Sequence, residues 1–231
     1  MFDISPLEVE ALLLSLKVAF WAVVVSLPFG IGSAWLLARC RFWGQGLFNG
    51  LVHLPLVVPP VVVGYLLLVL LGRNGPLGAL LYDLFGITVI FTWKGAAVAS
   101  AVMAFPLMVR SIRLSMESVD QGLEAAARTL GAGRIRTFIT ITLPLTAPGI
   151  FTGIVLAFAR SLGEFGATIT FVSNIPGETR TLPLALYTAV QVPGGEDAAV
   201  RLVIISVVLA FAALLASEYF VRRVRRRPEA L

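Results

Sequence analysis

Five stretches of this chain are each apolar for roughly twenty residues or more, the length an α-helix needs to cross the hydrocarbon of a bilayer. They run over about 12–38, 51–71, 88–109, 147–172 and 202–221. Lipid offers no partner for backbone N–H and C=O groups, so each run must satisfy its own, and helix is the only local structure that does so. Composition agrees: 58% of residues are hydrophobic and 13% charged, where soluble domains carry roughly 45–50% and about 25%. The sequence therefore predicts an all-α integral membrane protein of five spanning helices, one domain over residues 1–231. A water-soluble enzyme, a disordered chain and a secreted disulfide scaffold are excluded. The first run follows Asp3, Glu8 and Glu10, with neither a basic start nor a small-residue cleavage site, and reads as a retained helix.

The arginines set the expected orientation. Arg39 and Arg41 follow the first run; Arg110, Arg113, Arg128, Arg134 and Arg136 follow the third; Arg222, Arg223, Arg225, Arg226 and Arg227 follow the fifth. The other ends carry most of the acids, including Asp3, Glu8, Glu10, Asp83, Glu178, Glu196 and Asp197. This distribution puts the N-terminus outside and the C-terminus in the cytoplasm. A basic tail just past a spanning helix points to lipid headgroups as its partner and not to nucleic acid.

Catalytic and metal chemistry find no residues to work with. Cys40 and His53 are the only cysteine and histidine, too few for a disulfide or a Cys/His zinc cluster. Neither Lys17 nor Lys94 follows a glycine, so the chain has no phosphate-binding G-x-x-x-x-G-K-[ST] loop. Any nucleotide hydrolysis that drives this protein belongs to another chain. Five helices without an internal repeat also make a poor stand-alone carrier, and the chain is expected to act in an oligomer.

The longest piece between spans, 111–145, places Ile112, Met116, Val119, Leu123, Ala127 and Leu130 on one helical face, with Gly131 and Gly133 bending the chain after it. Such a helix either lies on the membrane surface or is offered to a cytoplasmic partner. Its continuation resembles the EAA motif of ABC importer permeases, E-A-A, three residues, G, nine residues, I-x-L-P. Ala126, Ala127, Gly131, Ile141, Leu143 and Pro144 fit that spacing, with one departure: Ala125 fills the first position and Glu124 stands one residue earlier.

Two further stretches make the resemblance more specific. H-L-P-L-V-V-P-P-V-V-V-G-Y-L-L-L, from His53 to Leu68, is similar to the second helix of molybdate importer permeases. A-R-S-L-G-E-F-G-A-T-I-T-F-V-S-N-I-P-G-E-T-R-T, from Ala159 to Thr181, is similar to their fourth helix and the loop after it. Sulfate permeases share the A-R-x-x-G-E core; the continuation is that of the molybdate branch. The resemblance implies the type I ABC importer permease fold in a bacterial inner membrane, working as a homodimer. Its partners would be two ATPase subunits, which bind ATP and magnesium, and an external oxyanion-binding protein. The chain itself would carry no cofactor. The cargo would be molybdate, with tungstate as an oxyanion of nearly the same size and charge. The segment around Gly131 would seat on the ATPase. Rival readings are a sulfate or thiosulfate permease and, further off, a membrane enzyme or a stand-alone secondary carrier.

Arg160 and Glu164 are ionisable residues inside a span, where charge is costly. Four residues apart, they share a helix face and can pair. They form either a structural lock or a gate that opens with the pathway. Pro59 and Pro60 remove backbone donors within the second run, and make either a packing kink or a broken segment lining the pathway. His53 reads as a polar helix-end residue. The external loop, 173–201, holds an apolar run over 182–190 that is too short to span and reads as a re-entrant or surface helix. Glu178, Arg180, Glu196 and Asp197 are its candidate docking residues for the binding protein.

Overall fold

The structure is a computed structural model in which residues 5–225 are described, with side chains as far as residue 216. The basic tail, Arg222 to Arg227, and Asp3 lie outside the described side chains. The described chain is helical and contains no strand. In order it forms α1 (Pro6–Arg39), α2 (Gln45–Val57), α3 (Pro60–Leu71), α4 (Pro76–Phe85), α5 (Trp93–Glu117), α6 (Gln121–Thr129) and α7 (Arg134–Thr137). A π-helical turn at Phe138–Thr142 leads into α8 (Leu143–Leu145), followed by α9 (Ala147–Leu162), α10 (Gly166–Val172), α11 (Leu182–Gln191) and α12 (Glu196–Arg225).

Among the described residues, three helices are long and apolar enough to cross a membrane unaided: α1, α5 and the 196–216 part of α12. Two helix pairs reach that standard only together. They are α2 with α3, bent by 117° at Val58–Pro59, and the 134–145 segment with α9, bent by 69° at Thr146. If each bent pair is one crossing, the count is five.

The central helix is α5. Buried residues make up 61% of its apolar window, against 6% for α12, whose Val203, Ile204, Val207, Val208 and Phe211 point outward. Exposed apolar faces of this kind suit acyl chains. Small residues let neighbours close on α5: Ala96, Ala99, Ser100 and Ala104 are all buried. From the α9 side, a Cβ at Gly149 would overlap Ser115, and one at Gly153 would stand 3.2 Å from both Ile112 Cγ1 and the Met108 carbonyl. The core falls into one group around Leu14, Met103 and Phe171 and another around Val23, Met108, Ile112 and Met116.

A third, smaller group ties the first and last spans together where α1 begins. Ser5 and Glu8 form a capping box, in which the Ser5 N–H donates to Glu8 Oε2 at 2.8 Å and Ser5 Oγ accepts from the Glu8 N–H at 3.3 Å. Glu8, 4% exposed, also pairs with Arg201 at 2.9 Å. Nearby, the Leu182 N–H donates to Ser15 Oγ at 2.7 Å, and Leu182 packs with Ala11 and Leu202.

Several boundaries differ from the hydropathy reading, each for a local reason. The third run becomes helical only at Trp93, where Thr92 Oγ1 caps the Gly95 N–H, and it then continues to Glu117. The amphipathic face read from Ile112 to Leu130 is two surfaces. Ile112, Met116 and Val119 are buried on α5 and the turn after it, whereas Leu123 and Leu130 are 48% and 89% exposed. Asp120 divides them by accepting the Gly122 N–H at 2.8 Å and starting α6. The 147–172 run is interrupted between Leu162 and Gly166. The apolar run at 182–190 does form a helix, α11, but Leu182 and Leu184 are buried, so it packs into the bundle instead of resting on its surface. α4 begins at Pro76, in a stretch that the hydropathy runs do not mark.

Gly149→Val should force α9 away from α5 and lower stability by about 1–3 kcal/mol, the usual range for overpacking. Gly32→Ala, at a position where a Cβ meets nothing within 4 Å, should leave the thermal midpoint in detergent unchanged. Equal midpoints for both variants would contradict the close α5–α9 contact.

Candidate functional site

The 121–145 segment is held by one buried carboxylate. Glu124 points inward from α6 and is 6% exposed. Its Oε1 accepts from Arg39 Nε at 3.0 Å and from Thr142 Oγ1 at 2.8 Å. Arg39 Nη2 also donates to the Val119 carbonyl at 3.2 Å. Three elements meet there: the end of α1, the start of α6 and the π-helical turn. A π-turn places one extra residue in the helix, and Thr142, its last residue, reaches Glu124 from it. Charge-assisted hydrogen bonds of this kind are among the stronger ones.

The rest of the motif faces outward or turns the chain. Ala125 and Ala126 are exposed and Ala127 is half-buried. Gly131 has φ +86°, a conformation that side chains disfavour, and its N–H and that of Ala132 close the end of α6 onto Arg128 and Ala127. Leu130, Ile135 and Ile139 are large apolar side chains left exposed. Ile141 and Leu143 are half-buried and Pro144 is exposed, at the bend into α9. Arg39 was read from the sequence only as an orientation signal. Its part in this cluster depends on a partner 85 residues away, and no local pattern carries that.

The second cluster forms where two interrupted helices touch. Pro59 precedes α3 and Pro60 is its first residue, a place where a missing N–H is harmless. Gly166, opening α10, lies so close that its Cβ would stand 2.7 Å from Pro60 Cβ. One turn on, a Cβ at Gly64 would stand 2.6 Å from the Ala167 carbonyl oxygen. Beside this crossing lie Arg160 and Glu164. They pair at 2.7 Å, Nη1 to Oε2, even though α9 ends at Leu162, between them. Glu164 Oε1 accepts the Ala167 N–H at 2.9 Å. A single carboxylate thus spans the gap, holding the last turn of α9 with one oxygen and the first turn of α10 with the other. Its side chain is 1% exposed, whereas that of Arg160 is 29% exposed. His53 lies within α2, its ring Nδ1 2.9 Å from the Asn49 carbonyl.

At the end where α1 begins, Glu178, Glu196 and Asp197 are exposed, the last two in the first turn of α12. Arg180 is half-buried and donates to Asn174 Oδ1 at 2.9 Å, so part of its bonding capacity is used inside the loop.

A helical membrane bundle with interrupted spans and an exposed helix–glycine–helix segment at one end is the architecture of a transporter's membrane subunit. The chain belongs to the family of binding-protein-dependent transport system inner membrane components, whose pattern matches residues 26–226. Among known relatives it is 67% identical to the molybdenum transport system permease protein ModB of Escherichia coli K12, over 95% of this chain and 96% of that protein. It is 36% identical to the sulfate transport system permease protein CysT of Salmonella typhimurium, over 95% of this chain and 80% of that one. Its fold matches a chain of a crystallised bacterial alginate ABC transporter, with a TM-score of 0.76 at 20% identity, covering 96% of this chain and 83% of that one.

Removing one partner of a buried pair is costly, so Glu124→Ala should destabilise the chain by about 3 kcal/mol. Thr142→Val should cost about 1 kcal/mol. In a double-mutant cycle with Arg39→Ala, the effects of Arg39 and Glu124 should be far from additive. Additive losses in reversible unfolding experiments in mixed micelles would mean the two residues do not act together.

Proposed function

We propose that this chain is the permease subunit of an ATP-driven molybdate importer. The observation that carries this reading is the 67% identity to a molybdenum transport permease over nearly the full length of both chains. The sulfate permease match at 36% identity makes sulfate the more distant alternative. Tungstate, of nearly the same size and charge as molybdate, travels by the same route.

In this reading the chain crosses the inner membrane five times, each bent pair counting once, with its N-terminus outside and its C-terminus in the cytoplasm. The arginine distribution supports that orientation. Two copies enclose one pathway and sit on two ATPase subunits, which hold ATP and its magnesium ion. An external protein delivers the oxyanion, and Glu178, Arg180, Glu196 and Asp197 contribute to its docking face. Lipid covers the apolar faces of α1, α3 and α12.

The exposed row of Ala125, Ala126 and Leu130, turned by Gly131, seats on the ATPase. Small alanines allow close approach, and Leu130 offers apolar area. Ile141, Leu143 and Pro144 pass the motion to α9, at whose far end lie Arg160, Glu164 and the Pro59–Pro60 break. The clamp of Glu124 on Arg39 makes α6 move with α1 instead of hinging freely. Opening the pathway at the crossing of α3 and α10 would separate groups that now touch, which suits a gate. Arg160 is unsuited to gripping an anion while Glu164 neutralises it, and a conducting passage works best with weak binding.

The test is uptake of labelled molybdate into proteoliposomes containing the assembled complex, the binding protein and internal ATP. Uptake should require ATP and be blocked by tungstate but not by sulfate; block by sulfate would overturn the cargo. Gly131→Trp should leave membrane insertion and assembly intact while abolishing the link between ATP hydrolysis and uptake. Normal uptake in that variant would rule out the coupling role of the segment.

A further inference from the structure

Beneath α6 the chain encloses a cleft of about 270 Å³, between the end of α1 and the segment that returns through α7 and the π-helical turn. Its walls are strongly basic. Arg39 there is neutralised by Glu124, but Arg41, Arg128 and Arg134 also line the cleft and have no ion-pair partner among the described residues. Thr137 also lines it, is 2% exposed, and has a buried Oγ1 with no hydrogen-bond partner. A buried hydroxyl without a partner is uncommon and costs stability. Three exposed guanidinium groups thus line one cleft with no carboxylate partner to offset their like charge. Both features are relieved by one kind of occupant, a compact oxyanion that accepts hydrogen bonds on several sides.

We propose that this cleft is a binding site for a phosphate-type oxyanion, either free in solution or as the headgroup of an anionic phospholipid. Arg41 would hold it from the end of α1, Arg128 and Arg134 from the two sides of the Gly131 turn, and Thr137 from the end of α7. The occupant would bridge α1 to α6 and α7 in parallel with the Arg39–Glu124 pair. The inference rests on this geometry and is independent of which ion the permease carries.

Cys40, the chain's single cysteine, lines the same cleft and reports on its occupancy. The experiment uses the full-length chain, delipidated in neutral detergent. Labelling of Cys40 by N-ethylmaleimide is followed by intact mass, with inorganic phosphate, dioctanoyl phosphatidylglycerol or dioctanoyl phosphatidylcholine added, and calorimetry measures affinity for the same probes. An anionic probe should slow labelling at least fivefold and bind saturably, whereas phosphatidylcholine should do neither. Protection by phosphate identifies a soluble oxyanion; protection by phosphatidylglycerol alone identifies the headgroup. The double variant Arg128→Gln/Arg134→Gln should raise Kd tenfold or more. Both side chains are exposed, so the fold should survive, as an unchanged thermal midpoint would verify. Thr137→Val should raise Kd several-fold. Arg136→Gln, an exposed arginine of α7 outside the cleft, should change nothing. The proposal is overturned if neither anionic probe protects Cys40, if phosphatidylcholine protects equally, or if the double variant binds as tightly as the native chain.

Discussion

A bilayer supplies no hydrogen bonds, so any residue that interrupts a spanning helix must find its lost partners inside the protein. That requirement explains why the two interrupted runs of this chain meet. At Pro59–Pro60 the donors are absent altogether, and the proline ring packs on Gly166, where no side chain stands in its way. At Gly163–Phe165 the gap is bridged by Glu164, which accepts a backbone N–H from α10 and pairs with Arg160 on α9. A carboxylate is the natural choice: one oxygen can serve the backbone while the other answers a charge. The Arg160–Glu164 pair is therefore first a repair of the backbone, whatever it also does in transport.

The opposite end of α9 answers a different demand. There the chain leaves the bundle, and an exposed segment has to be fastened to it. Glu124, one residue out of register with the motif's first position, is used for that purpose: it faces away from the exposed alanines and fastens α6 to α1 and to the π-turn. The outward face is left small and apolar, suited to pressing against another protein. Inward, the Glu124 carboxylate is paired with Arg39.

The residues show which kinds of information a sequence displays openly. Runs of apolar residues revealed α1, α5 and α12 because a bundle core and a lipid-facing surface alike need only apolar composition, and the Gly131 spacing marked a turn that takes φ +86°. The pairing of Arg160 with Glu164 was legible because it is local. Arg39–Glu124 and Glu8–Arg201 were not, since their partners are 85 and 193 residues apart and each residue alone looks like an ordinary helix-end charge. The Ser5–Glu8 capping box was present in the letters and could have been found by its spacing. The division at Asp120 was hidden because the apolar period runs straight through it: Met116 and Leu123 fit one helical stripe, yet only Met116 is buried. The apolar run at 182–190 reads as a re-entrant or surface helix because it is too short to span, while the burial of α11 depends on neighbours from both ends of the chain.

That last dependence orders events in time. Ser15 and Glu8 are synthesised well before the groups they bind, the Leu182 N–H and the Arg201 guanidinium. A nascent chain that already holds α1, α5 and α9 in the membrane still lacks the pieces that close α1 at its start. A chain truncated before α11 would keep every apolar run up to that point and yet leave Glu8 without its Arg201 partner and the Ser15 hydroxyl without the Leu182 N–H. The clasp therefore closes only when synthesis has reached α12.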